Sequence, residues 1–127
     1  MTVADEKAIG WVDLTVPDAD RLRDFYSDVV GWTAEAVEMG GYSDWLMRSR
    51  DGTPTAGICH RRGPNATLPP VWLVYLTVTD LDASLGRCGE LGGRLLVPPQ
   101  DMGGMGRYAV IEDPCGAVCA LFEQAKS

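Results

Sequence analysis

Apolar and polar residues alternate through Trp11–Val16, placing Val12, Leu14 and Val16 on one face and Trp11, Asp13 and Thr15 on the other. That period of two marks a strand with two chemically different faces. The pattern returns in residues 73–78, where Val74, Leu76 and Val78 oppose Leu73, Tyr75 and Thr77. After each strand the period lengthens to that of a helix. Asp18 can cap the first helix, whose apolar stripe is Leu22, Phe25, Tyr26 and Val29, and Gly31 ends it. Asp80 can cap the second, with Leu81, Leu85, Cys88 and Leu91 turned inward and Gly92-Gly93 beyond. Three shorter strands are expected after each helix, at Thr33–Glu38, Ser43–Arg48 and Thr55–Cys59, and at Arg94–Val97, Arg107–Glu112 and Ala117–Glu123.

These two runs are copies. WVDLTVPD at 11–18 and LVYLTVTD at 73–80 stand 62 positions apart. The same spacing carries Asp20 onto Asp82, Gly31 onto Gly93 and Asp51 onto Asp113. Coincidence at strand, helix start, helix end and a later turn identifies an internal repeat. The expected fold class is α+β. Two tandem βαβββ modules, about 8–60 and 71–124, form a curled mixed sheet of half-barrels around a central cleft, with the helices outside. Residues 61–70, with Arg61-Arg62-Gly63-Pro64 and Pro69-Pro70, read as the linker. The aliphatic strand faces meet the helices. The mixed faces line the cleft, the natural place for a ligand.

Composition narrows the partners. The 127 residues, 46% of them apolar, suffice for a single domain with a core. A net charge of −7 disfavours nucleic acid and anionic membrane surfaces. No run is long and apolar enough to span a bilayer, and the start MTVADEK lacks the order of a secretory leader, so the expected compartment is the cytoplasm. The four cysteines are expected as free thiols. Cys115-x-x-x-Cys119 is not a zinc-ribbon spacing, and His60 is the chain's single histidine.

The repeated V-x-L-x-V-x-D, with Phe25-Tyr26, Gly31-Trp32 and Asp113-Pro114-x-Gly116, resembles the vicinal oxygen chelate superfamily of glyoxalases, bleomycin-resistance proteins and extradiol dioxygenases. Gly40-Gly41-Tyr42 and Ala56-Gly57-Ile58 look closest to its glyoxalase-like members. Metal-dependent members of that group place His, Glu or Gln at four cleft positions. By this resemblance those positions fall on Trp11, Leu73, Ala120 and Ile58, or on Gly57 with a one-residue slip. None of these side chains ligates a divalent cation. The resemblance thus implies a cleft without the usual metal and without a cofactor.

Trp11, Asp13, Tyr75 and Thr77 are the candidate ligand-contacting residues, over an apolar floor of Ile58, Leu73 and Ala120. Aromatic walls with one carboxylate suit a flat or cationic organic ligand. Trp11 and Tyr75 equally suit filling the cleft themselves, and Asp13 is either a ligand-pairing group or a base of raised pKa. Trp45 and Met47 share a strand face and read as core, whereas Trp32 and Trp72 suit either core cover or a dimer contact. Gln100–Gly106 is expected as a flexible connection or a flap over the cleft. His60, placed on the cleft face by the repeat spacing, has no orienting partner visible in the sequence; Cys119 falls on the helix face. The expected function is a metal-free small-molecule-binding protein of the glyoxalase/bleomycin-resistance type, sequestering an aromatic or cationic ligand; the resemblance implies a homodimer, and edge strands invite the same pairing. A metal-dependent lyase, isomerase or dioxygenase with atypical ligands, and an interaction module with a self-filled cleft, are the alternatives.

Overall fold

The computed structural model describes residues 7–126. In chain order these form β1 (Ile9–Val16), α1 (Ala19–Val30), β2 (Thr33–Glu38), β3 (Ser43–Arg48), β4 (Pro54–His60), β5 (Trp72–Thr77), α2 (Leu81–Glu90), β6 (Arg94–Asp101), β7 (Gly106–Glu112) and β8 (Val118–Gln124). The fold is therefore α+β, a βαβββ module repeated once. The described residues divide into two compact units, Val12–Trp72 and a second made of residues 73–126 together with 7–11.

In the Val12–Trp72 unit the strand order is β2-β3-β4-β1. β1 pairs parallel with β4, while β3 pairs antiparallel with β2 and β4. The crossover through α1 makes the parallel pair possible. Asp18 accepts the Arg21 amide at 3.1 Å, and Gly31, at φ +88°, closes the helix with its amide on the Ser27 carbonyl. That left-handed residue is where a glycine is required. Leu14, Val16, Ala19, Met47 and Ile58 form the core against α1, with Leu22, Tyr26, Trp32, Trp45 and Trp72 packed on it. Trp32 and Trp72 thus cover core: each has its ring centroid about 5–6 Å from Tyr26, and Trp72 Nε1 donates to the Tyr26 hydroxyl at 3.2 Å. The expected stripe on α1 is narrower than its sequence. Leu22 and Tyr26 are packed, but Phe25 and Val29 are exposed, because one sheet face accommodates only part of the helix circumference.

The second unit repeats this plan as β5-β8-β7-β6. Asp80 caps α2 through the Ala83 amide at 3.1 Å. Leu81, Ala109 and Leu121 form the core, joined by Val78, Leu85 and Ile111. Leu91, expected inward, is exposed, since α2 ends at Glu90. Leu76, on the aliphatic face expected to meet the helix, is 37% exposed, against 4% for Leu14. The repeat explains this: α1 covers its strand with Leu22 and Tyr26, and the matching positions on α2 are Ser84 and Cys88.

One tether recurs with different chemistry. Trp45 on β3 donates from Nε1 to Asp20 in the first turn of α1 at 2.8 Å. At the matching position Arg107 on β7 donates to Asp82 in the first turn of α2 at 3.0 Å. Each bond fixes its helix to the third strand of its module. The segment around Gly103–Met105 joins β6 to β7. Gln100 and Asp101 pair with Tyr108 and Arg107, and the Met105 carbonyl accepts the Ala125 amide at 2.9 Å.

Candidate functional site

The register of the last strands decides which side chains face away from the helices. In the second unit Tyr75 lies beside Ala120, which lies opposite Val110. Leu73 and Thr77 share the Tyr75 face of β5, and Tyr108 shares the Val110 face of β7. The Tyr75 and Tyr108 rings stand 5.9 Å apart, tilted at 50°. Leu73, Tyr75, Tyr108, Val110 and Ala120 are all buried. Trp11 and Thr77 are half-buried, and they are the partly accessible members of the candidate set in this unit. The Thr77 amide donates to the Ala8 carbonyl at 2.9 Å, and Gly10 approaches so closely that a Cβ there would sit 3.3 Å from Thr77 Oγ1.

In the Val12–Trp72 unit, Asp13 pairs with Gly57, Leu14 with Ile58 and Thr15 with Cys59. Ile58 therefore faces α1 together with Leu14, fully buried, and the expectation that it floors the ligand face is corrected. The cause is one extra residue in the second copy. The match is 62 positions for the first strand, where Leu14 corresponds to Leu76. It is 63 on the last, where Ile58 corresponds to Leu121 and Gly57 to Ala120. Position 57 thus takes the place on the face opposite α1 that the uniform spacing assigned to Ile58.

The face opposite α1 carries Asp13, the buried Thr15, Gly57, Cys59 and Asp44, whose neighbour Trp45 is registered on Ile58. Burial first, and then the charges of Asp13 and Asp44, push the Cys59 thiol well above its ordinary range. A thiol so placed is a poor nucleophile. His60 also departs from expectation. It shares the Ile58 side of β4, and Asp44 supplies the orienting partner that the sequence did not reveal. Asp44 Oδ1 accepts the His60 amide at 2.8 Å and lies 3.4 Å from Nδ1, while Asp20 lies 3.8 Å from Nε2. Tyr42 packs edge-on against the imidazole at 5.5 Å and carries Arg62 over its ring at 3.9 Å. No signal in the sequence distinguished Asp44 from the chain's other aspartates; only the β3–β4 register brings it to His60.

The four positions that correspond to metal ligands in the resembled group are therefore Trp11, Gly57, Leu73 and Ala120. An indole, a hydrogen, an isobutyl and a methyl group offer no electron pair suited to a divalent cation. Among the described residues no three His, Cys, Asp or Glu side chains come together as a possible metal site. The residues present do not fit a chelated metal. Cys119, as expected, faces the helix side, and no helix among the described residues is long and apolar enough to cross a membrane.

The sequence model of the Glyoxalase/Bleomycin resistance protein/Dioxygenase superfamily matches residues 8–121. The chain is 33% identical over 129 aligned positions to the anthracycline biosynthesis protein DnrV of Streptomyces peucetius, covering 92% of this chain and 47% of that protein. It thus spans about half the length of the curated relatives it matches. Among solved structures it resembles methylmalonyl-CoA epimerase from Mycobacterium tuberculosis, with a TM-score of 0.61, 22% identity, and coverage of 94% of this chain and 89% of that one. It also resembles a variant of homoprotocatechuate 2,3-dioxygenase from B. fuscum, with a TM-score of 0.58, 20% identity, and coverage of 94% of this chain and 32% of that one. At these identities the structural likenesses show a shared fold.

Proposed function

Because the chain belongs to the glyoxalase/bleomycin resistance protein/dioxygenase superfamily, we propose that it is a metal-independent binding protein for a planar aromatic small molecule. One observation carries this reading: all four chelating positions hold side chains without a donor, while a half-buried indole occupies the first of them. Trp11 offers a stacking surface, and Thr77 offers a hydroxyl. Leu73, Tyr75 and Ala120 supply an apolar floor. The name of DnrV points the same way, since anthracyclines are built on a planar fused-ring chromophore.

The test is calorimetric titration with a planar hydroxyanthraquinone carrying an ammonium side chain, with and without EDTA, alongside metal analysis of protein purified without chelator. Binding is expected to be indifferent to EDTA, and the protein to carry no stoichiometric metal. Trp11→Ala should weaken binding about tenfold, the loss of roughly 1.4 kcal/mol of stacking. A stoichiometric divalent ion, or binding that appears only when metal is added, overturns the proposal.

A second reading has its own support. Tyr75 and Tyr108 are buried against each other, as side chains that fill a site themselves would be. An interaction module of this kind binds no aromatic probe, and Trp11→Ala then lowers stability alone.

A further inference from the structure

The helix side of the second unit holds two half-buried thiols that no ligand reading uses. The Leu81 amide donates to Glu123 Oε1 at 2.8 Å, so α2 begins at the C-terminal end of β8. Leu81 and Leu85 then pack on Leu121, Ala109 and Ile111, so the helix runs back along β8. Cys88 follows Leu85 by one turn on the same helix face. From Leu81 to Cys88 the helix rises about 10.5 Å, and from Glu123 to Cys119 the strand covers about 13 Å. The two cysteines therefore arrive at the same level on facing elements. Cys119 is registered opposite Ile111, which keeps its side chain on the helix face. Gly93 leaves the space that Cys88 Sγ occupies, since any Cβ there would collide with the sulfur. The Cys88 thiol is also near enough to disfavour a negative charge on Cys119.

We propose that Cys88 and Cys119 are a modification site: a dithiol that hydrogen peroxide closes to a reversible disulfide, pinning α2 to β8. One sulfur attacks a peroxide oxygen, giving a sulfenic acid and releasing water. The other thiol's sulfur then displaces the sulfenic oxygen, which leaves as a second water. Two thiols and one peroxide thereby become one disulfide and two waters. Burial raises the Cys119 thiol, so attack through that sulfur is slow at neutral pH and quickens as pH rises. The inference rests on the second unit's core alone and is independent of the ligand reading.

The experiment treats the reduced chain with hydrogen peroxide, blocks remaining thiols with N-ethylmaleimide, and maps the product by proteolysis and mass spectrometry. The expected product has lost two hydrogens, resists alkylation at two positions and yields one cross-linked peptide pair containing Cys88 and Cys119. Dithiothreitol restores both thiols. Cys115→Ser, in the exposed turn before β8, leaves the cross-link intact, whereas Cys88→Ser or Cys119→Ser removes it. Cross-links through Cys115 or Cys59, covalent dimers, or sulfinic acids without a cross-link overturn the proposal. Because the wild-type map decides the question by itself, a variant that folds poorly does not.

Discussion

Leu14 and Leu76 hold the same place in the repeated strand, yet truncating them should have unequal consequences. Leu14 is 4% exposed beneath Tyr26 and the indoles of Trp32, Trp45 and Trp72. Leu14→Ala removes three buried carbon atoms' worth of packing, roughly 2.4 kcal/mol at about 0.8 per methylene. It also opens a cavity that those large rings fill poorly, which brings the total to about 3–4 kcal/mol. Leu76 is 37% exposed under an α2 that presents Ser84 and Cys88. There the transfer loss shrinks to roughly two-thirds, and solvent rather than a void takes the vacated space. Leu76→Ala should therefore cost about 1.6 kcal/mol. Urea unfolding followed by far-ultraviolet circular dichroism measures both, with stability read from the midpoint at unchanged slope. A difference of about 2 kcal/mol is expected. Equal losses, or a larger one at Leu76, would refute the claim that the two helices cover their sheets unequally.

Gly106 has φ +139°, and a Cβ there would come far inside contact distance of the Glu123 carbonyl oxygen. Gly106→Ala should lower stability by at least about 2 kcal/mol in the same assay, and an unchanged midpoint would remove the argument. Ser49 and Thr53 hold the Asp51 carboxylate at about 2, below its ordinary 3.8, and the Leu81 amide and then Arg107 lower Glu123. Depressed carboxylates contribute stability above their unfolded values and lose it as pH falls through the folded ones. Urea midpoints should thus decline from pH 4.5 toward pH 2, and less steeply in Asp51→Asn combined with Glu123→Gln. With iodoacetamide at neutral pH, exposed Cys115 should react before the other thiols and Cys59 last, because burial and two nearby aspartates oppose its thiolate. Rapid labelling of Cys59 in folded protein would contradict that environment.

Local pattern alone revealed the module. Period-two alternation located the strands, Asp18 and Asp80 marked the helix starts, and the spacing of 62 residues exposed the repeat. These features depend on neighbours a few residues away, so one sequence suffices to read them. The donor-free character of Trp11, Leu73 and Ala120 was legible for the same reason: side-chain chemistry needs no coordinates. Ile58 was misassigned because a strand's facing inverts with a single inserted residue, and the uniform spacing concealed the insertion before β8. Strand pairing settled that position in favour of Gly57.

Partners distant along the chain belong to the tertiary structure alone. The Asp44–His60 contact spans 16 positions, and the tethers from Trp45 to Asp20 and from Arg107 to Asp82 each span 25. Nothing in the local pattern distinguishes these aspartates from others, and only packing of helix on sheet selects them. The unequal cover of Leu14 and Leu76, and the meeting of Cys88 with Cys119, arise in the same way. Sequence determined which face of each element is apolar, because that follows from backbone period. Which side chains meet across elements was decided by strand register and helix placement, which depend on the whole unit folding together.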